Sequence, residues 1–366
     1  MRFQAHRCLL LLSFGIIILS LSVPAQEVQP PFVSSPRRLL TAPEALEAPD
    51  EWIGRSLQWV NYILSTYPPS ETEHPVRRAA LIRMDDVLHI KSAPNNALVQ
   101  AFYRQRIEGA VQEIERTKVV EGMRVWKLYN HGFVVRTPTV TYAFDIVPGA
   151  LRSQLVVPRE ILQRLAAQCD ALFLTHAHDD HVNPEVARLF LAQNKPVLAP
   201  PKLWRNTPDM ASRVTYPERA VKTTHQVPLK GGASELKVVV YPGHQGKEWL
   251  NNVYLVTSPE GFTAMHTGDQ SGPESPGGDF DWLAQVGGYH HVDLLLPNCW
   301  ANGLDRMLRG INPDLVITGH ENELSHSVDH REDYTQTYNR LFGSRYPAIV
   351  MSWGESYHIH RSARAR

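Results

Sequence analysis

Between His176 and His181 the chain sets three imidazoles, those of His176, His178 and His181, beside the carboxylates of Asp179 and Asp180. Imidazole nitrogen and carboxylate oxygen are the donors that hold zinc and related divalent ions, so this cluster after the apolar residues 172–174 points to coordination chemistry. Extended backbone sends side chains two apart to one face, which lets His176 and His178 share an ion. Asp180 and His181 fall where the chain turns toward a helix, and there they can face a second ion beside the first. Burying so much polarity at a strand end without a metal would be costly. A solvated polar loop is the competing reading.

The segment resembles the His-x-His-x-Asp-His motif of the metallo-β-lactamase superfamily, in His176, His178, Asp180 and His181. Three later segments extend the resemblance in the family's order, each at an expected strand end. They are Tyr241-Pro-Gly-His244, His266-Thr-Gly-Asp269 and the apolar stretch ending at His320. The resemblance covers residues 121–357. It implies that His176, His178 and His244 hold one metal, that Asp180, His181 and His320 hold a second, and that Asp269 bridges them. All these donors are nitrogen or oxygen. Zinc fits such a set best, so two zinc ions are the expected cofactors, with manganese or iron as alternatives.

The resemblance also narrows the chemistry. Histidine at position 178, where the redox di-iron branch carries glutamate, favours hydrolysis. Asp269 matches the phosphoesterase, lactonase and thioesterase branches and argues against a true β-lactamase. The last segment resembles the branch of lactonases and phospholipase-D-like enzymes. Two divalent ions sharing one water lower its pKa, and the bridging hydroxide would attack an ester, lactone or related acyl substrate. The alternative substrate is a phosphodiester such as a phospholipid. The alternative of another class is a metal-binding protein without catalysis. Asp180 is expected to be catalytic as well as ligating. His326, in the proton-carrying stretch 321–330, is a candidate acid for the leaving group, against a polar loop with a helix cap.

These residues need strand ends to hold them. Short strands are expected at 124–128, 132–136, 139–146, 171–175, 237–241, 253–257, 263–266, 292–296, 315–318 and 348–351, with helices at 158–168 and 184–193 between them. With the resemblance this implies an α/β fold, the four-layer αββα sandwich, over residues 121–366. Thr175 could orient His176, and Asp145 could hydrogen-bond a ligating imidazole. His131 and Trp300 are candidates for the mouth of the site, and His290 and His291 read as turn residues.

Ahead of the sandwich, residues 26–120 read as a Pro- and Ser-rich linker and a helical extension. Its helices are expected from Asp50 as cap, from Pro75 to Asp86, and from Asn96 to Lys118, each with one apolar stripe. Their default role is to pack on the following domain, and the alternative is to roof its site. Residues 1–25 have a basic start, an apolar run at 9–23 and small residues before Gln26, the layout of a signal peptide. The expected location is therefore periplasmic or secreted, with no membrane span after cleavage. Only Cys169 and Cys299 follow that segment, both in apolar contexts, and they read as buried free thiols. Lys plus Arg equals Asp plus Glu at 37 each, so no global charge draws the chain to nucleic acid. A small molecule or a lipid is the expected substrate.

Overall fold

A computed structural model describes residues 47–229, 234–270, 278–341 and 343–360. The expected signal segment, most of the expected linker (26–46) and the basic tail at 361–366 lie outside the described residues. Among those described, no helix is long and apolar enough to cross a membrane.

Two sheets lie face to face. The first sets Glu355–Ile359, Met123–Lys127, Phe133–Arg136, Thr141–Phe144, Ala171–Phe173 and Val197–Leu198 side by side. The second runs Ala348–Ile349, Leu315–Ile317, Leu294–Leu296, Thr263–His266, Trp249–Thr257, Glu235–Gln245 and Thr224–Pro228. Their facing sides form one apolar cluster, in which Val125, Phe133, Phe144 and Phe173 meet Val240, Tyr254, Leu296 and Ile317. Two further clusters lie on the outer faces, under helices. Strands apolar on both faces need helices outside them, and the expected αββα order of layers results.

Pairing directions bring the chemistry to strand ends. Thr141–Phe144 and Ala171–Phe173 run parallel, as do Thr263–His266, Leu294–Leu296 and Leu315–Ile317. The segments leaving those five ends carry Asp145, Thr175 and His176, Asp269, Trp300 and His320. Such carboxyl ends are where α/β sheets form their sites. Several hydrogen bonds join the sheets there, two of them at the end of Ala171–Phe173. The Asn252 amide donates to the Thr175 carbonyl (2.8 Å), and the Tyr254 hydroxyl donates to the Leu174 carbonyl (3.0 Å).

The strand Glu235–Gln245 runs beyond the expected 237–241 because it pairs with Trp249–Thr257 in a long hairpin. His244 therefore lies within a strand, opposite Leu250, and does not follow one. The strand Glu355–Ile359 was not expected. Its Glu355, Ser356 and His358 interrupt any apolar run, and it joins the sheet by pairing with Met123–Lys127.

The helical extension comprises Asp50–Thr66, Pro75–Leu88 and Ala97–Arg116. Asp50 does not cap the first helix. Pro49 occupies the cap position, and Asp50 accepts a hydrogen bond from the Asn96 side chain (2.8 Å). Asn96 does cap the third helix, accepting the Leu98 and Val99 amides. The three stripes bury Leu57, Met84, Phe102 and Val111 in the same cluster as Trp126, Val134 and Phe190 of the sandwich. The extension is thus part of the outer helical layer. Tyr103 from its third helix meets Tyr129 and Trp353 edge-on, at 5.4 and 5.5 Å between ring centres. Cys169 and Cys299 are buried free thiols, and burial pushes the Cys169 thiol up to about 12.

Candidate metal centre

The chain past Ala171–Phe173 brings the ring of His176 to 4.7 Å from that of His178 and 4.1 Å from that of His181. Asp269 arrives from the opposite sheet. Gly268 before it holds left-handed backbone (φ 53°), and a Cβ there would stand 2.2 Å from Asn251 Oδ1 and 2.6 Å from Thr175 Cβ. Only glycine permits that passage. The Asp269 Oδ2 atom then lies 3.8 Å from His176 Nε2, 3.3 Å from His181 Nε2 and 3.2 Å from His320 Nε2. Asp180 Oδ2 lies 3.4 Å from His181 Nε2 and 3.3 Å from His320 Nε2. Two groups of donors result, and they share Asp269. One is Asp180, His181, Asp269 and His320, all buried, and the other is His176, His178 and Asp269.

These residues suit a metal pair. The Nε2 atoms of His176, His181 and His320 and the Oδ1 atom of Asp269 are buried and make no hydrogen bond. Orphaned buried polar atoms are rare, because each forfeits its solvation without return. Cations among them would answer all four at once, and the donors are nitrogen and oxygen as such ions require.

The electrostatics divide the imidazoles. Burial and the neighbouring His181 press His176 down to about 3, so that ring is neutral. Burial also opposes charge on His181 and His320, but Asp269 and Asp180 outweigh it and hold both well above the ordinary value. The same contacts act in reverse on the carboxyls. Burial would raise Asp180 and Asp269, yet His181 and His320 hold both well below the usual carboxylate range.

Behind the donors stand the groups that aim them. His181 Nδ1 donates to Asp145 Oδ2 (2.9 Å), and Asp145 also accepts the Thr175 amide (2.8 Å) and hydroxyl (2.6 Å). Thr175 Oγ1 lies 3.1 Å from His176 Nδ1. Both residues therefore stand where the sequence reading put them. His244 is in neither donor group. Its Nδ1 meets the buried Asp279 at 3.1 Å, and its amide donates to Gln270 Oε1. Gln245, next to it, donates to Asp269 Oδ2 (3.0 Å), so this strand does reach the cluster.

Asn130, Asp279 and Glu332 were not singled out from sequence, and Glu323 only as part of the proton-carrying stretch 321–330. The Asn130 side chain donates to the carboxylate (3.0 Å) and carbonyl (3.1 Å) of Asp180, while its own carbonyl accepts the His320 amide. Glu332 lies 3.8 Å from His320 Nδ1. Burial and the nearby Asp180 push the Glu323 carboxyl up to about 7. Asn130, Asp279 and Glu332 come from segments with no ligand-like spacing, so only the fold could reveal them.

Around the cluster, His326 is half-buried, its ring 5.8 Å from that of His320 and its Nδ1 against the His330 carbonyl (3.2 Å). Trp300 stands edge-on to His320 at 6.0 Å, and the exposed Trp249 stands 4.5 Å from His178. His131 is not at the mouth. It is fully buried, donates from Nε2 to the Leu296 carbonyl (3.3 Å) and places Nδ1 3.8 Å from Asp269 Oδ1. His290 is the C-terminal cap of a short helix, and His291 pairs with Asp293 and Asp314.

No protein-family model matches the chain, and no curated protein does. Solved structures match its fold. A metallo hydrolase from the archaeon Ignicoccus hospitalis shares 15% identity, covering 64% of this chain and 97% of its own, at a TM-score of 0.48. An isothiocyanate hydrolase from Delia radicum gut bacteria shares 12%, over 64% of this chain and 99% of its own, at 0.47. The di-iron β-hydroxylase CmlA of Streptomyces venezuelae shares 14%, over 66% of this chain and 55% of its own, also at 0.47. Likenesses this distant concern the fold alone, and what the site can do must come from its own side chains.

Proposed function

We propose that the chain is a hydrolase working with two zinc ions and that it cleaves an ester, lactone or related acyl compound. The observation that carries this reading is the convergence of the His176, His181 and His320 Nε2 atoms on Asp269, buried and without hydrogen-bond partners. His176 and His178 would hold one ion, with His244 as a further donor. Asp180, His181 and His320 would hold the other, with Asp269 between them. Bound there, a zinc pair supplies a water acidic enough to be hydroxide near neutral pH and polarises the carbonyl under attack. Zinc is preferred because the donors are mostly imidazole.

Two observations support a neutral acyl substrate over a phosphodiester. Two cations near the donors, Lys127 and Arg152, are already engaged, the first with Glu321 in a fully buried pair and the second with Asp179 at 3.4 Å. Trp249 and Trp300 beside the donor groups instead offer aromatic faces. A permanently charged phosphodiester calls for cations able to donate to it. The apolar run at residues 9–23 supports export to the periplasm or beyond.

Elemental analysis of protein purified without chelator is expected to give about two zinc ions per chain. Asp180→Ala and His181→Ala are each expected to lower turnover of an acyl ester by about 10³-fold, roughly 4 kcal/mol of transition-state stabilisation. Their circular dichroism should stay that of the wild type. Unchanged turnover in either variant would overturn the reading, and cleavage of phosphodiesters in preference to esters would overturn the substrate class. His326→Ala is expected to slow a substrate with a poor leaving group by about 10²-fold and an activated ester hardly at all. Equal slowing of both would remove the acid role.

A further inference from the structure

Resting on that reading of the metal centre, we propose that the helical extension is a bracket that sets the His320 loop, with Asp85 and Arg331 as its two fastenings. The affinity of the group Asp180, His181, Asp269 and His320 for its ion then depends on a residue of the extension, Asp85, which acts as a positioning residue.

The loop needs such a support. His320 and Asn322 both hold left-handed backbone, at φ 74° and 57°. Residues other than glycine keep that conformation where their surroundings impose it. Asp85 sits buried near the end of Pro75–Leu88, where its carboxylate accepts the Asn322 side-chain amide (2.9 Å). The same carboxylate accepts the backbone amides of Tyr334 (3.0 Å) and Thr335 (3.2 Å), which open the helix Tyr334–Leu341. One side chain of the extension thus ties the residue two past His320 to the element that closes its loop. Across the same loop, the Asn322 amide donates to the Glu332 carbonyl (2.7 Å).

The second fastening is Arg331, also buried. Its guanidinium donates to the carbonyl of Leu88, the last residue of the second helix, and to that of Ile90 just past it (2.6 and 3.1 Å), and to the His326 carbonyl (3.2 Å). His89 Nε2 meets the Arg331 carbonyl at 2.8 Å. Between the fastenings the sandwich holds the loop from its other side. Lys127 pairs with Glu321, and the Tyr129 hydroxyl accepts the Leu324 amide (2.9 Å). These contacts lie behind the loop, buried except for the partly buried ones to His326 and Thr335, which is where a support belongs and a lid does not. None of them reaches His176 or His178, so the dependence is selective for one of the two ions.

The test uses the full chain, stripped of metal and titrated with zinc against a chromophoric chelator. Asp85→Ala removes at once the acceptor of the Asn322, Tyr334 and Thr335 amides. Asn322→Gly removes the loop's side of the bond, tolerates the positive φ and leaves every helix intact, so it decides the matter should the first variant misfold. Each is expected to weaken one of the two ions by about 10- to 100-fold, as loss of groups behind a ligand does, and to leave the other unchanged. Wild-type affinity for both ions in both single variants would overturn the bracket, as would equal weakening of the two. A wild-type chain binding fewer than two ions would instead overturn the metal-centre reading, and this inference with it.

Discussion

Asp269→Asn should leave a chain that retains less than one zinc ion after dialysis and turns over acyl substrate roughly 10⁴-fold more slowly, about 5.5 kcal/mol. The substitution keeps volume and shape and removes only charge and donor strength. Asp269 is the one residue common to both donor groups, and one of its oxygens faces three imidazole Nε2 atoms at 3.2 to 3.8 Å. An amide oxygen is a weaker donor to a cation, and an amide nitrogen in the Oδ2 place would stand against the Gln245 side-chain amide. The other ligand changes each touch one group, which is why this one is expected to cost most. Inductively coupled plasma analysis and steady-state kinetics on the same preparation check it. Two ions per chain with wild-type turnover would show that Asp269 holds neither. Two ions with slow turnover would confine its role to the reaction.

The donors on the His176–His181 segment were legible because spacing alone packs them together, whatever the rest of the chain does. Asp269 and His320 were legible only through the order of strand ends that the resemblance implies. Their convergence on His176 and His181 is a property of two sheets meeting, and no local pattern encodes it. The glycines beside them illustrate this. Gly268 has to pass Thr175, and a Cβ on Gly319 would stand 2.2 Å from His131 Cδ2, so each glycine answers to a residue far away in sequence. Asp145 was legible as a carboxylate at a strand end, and the structure puts it on His181.

What stayed hidden follows one physical pattern. Asp85, Asp279 and Glu332 are carboxylates on or beside helices, where acidic residues ordinarily face water, and each is instead committed to an imidazole or to its loop. The extension read correctly as amphipathic helices, since an apolar stripe predicts burial. The stripe could not say against what, and so could not tell a roof from a support. His131 erred the other way. Expected at the mouth of the site, it lies instead fully inside, where burial pushes its pKa well below the ordinary value and its ring sits 4.1 Å from that of His266, tilted against it.

Zinc loading near pH 7 is expected to release about two protons per chain, and the stability gained from zinc should grow as pH rises above about 6.5. Without metal, His181 and His320 are held well above the ordinary histidine value, against burial, by Asp269 and Asp180. A histidine whose folded pKa exceeds its unfolded one stabilises fully below about 6.5 and loses that contribution as pH climbs through the folded value. Glu323, raised to about 7 by burial and Asp180, acts in the same direction but over a lower window, from the unfolded carboxyl value of about 4.3 up to about 7. Asp180 and Asp269, depressed well below the usual range, contribute above about 4 and lose their contribution only as pH falls through the folded value, far from this window. Chelated protein should therefore melt at progressively lower temperature from pH 6.5 upward. The loaded form requires both imidazoles neutral, so its affinity for zinc should rise over that same interval. His176, pressed to about 3, has no proton to give. Calorimetric titration of zinc in buffers of different ionisation enthalpy counts the protons directly. A count near two, with the melting gap between loaded and chelated protein widening from pH 6.5 to 9, is the expected outcome. A count near zero would mean that neutral imidazoles face two carboxylates in the chelated protein, and the pairing of His181 and His320 with Asp180 and Asp269 could not be what holds that form together.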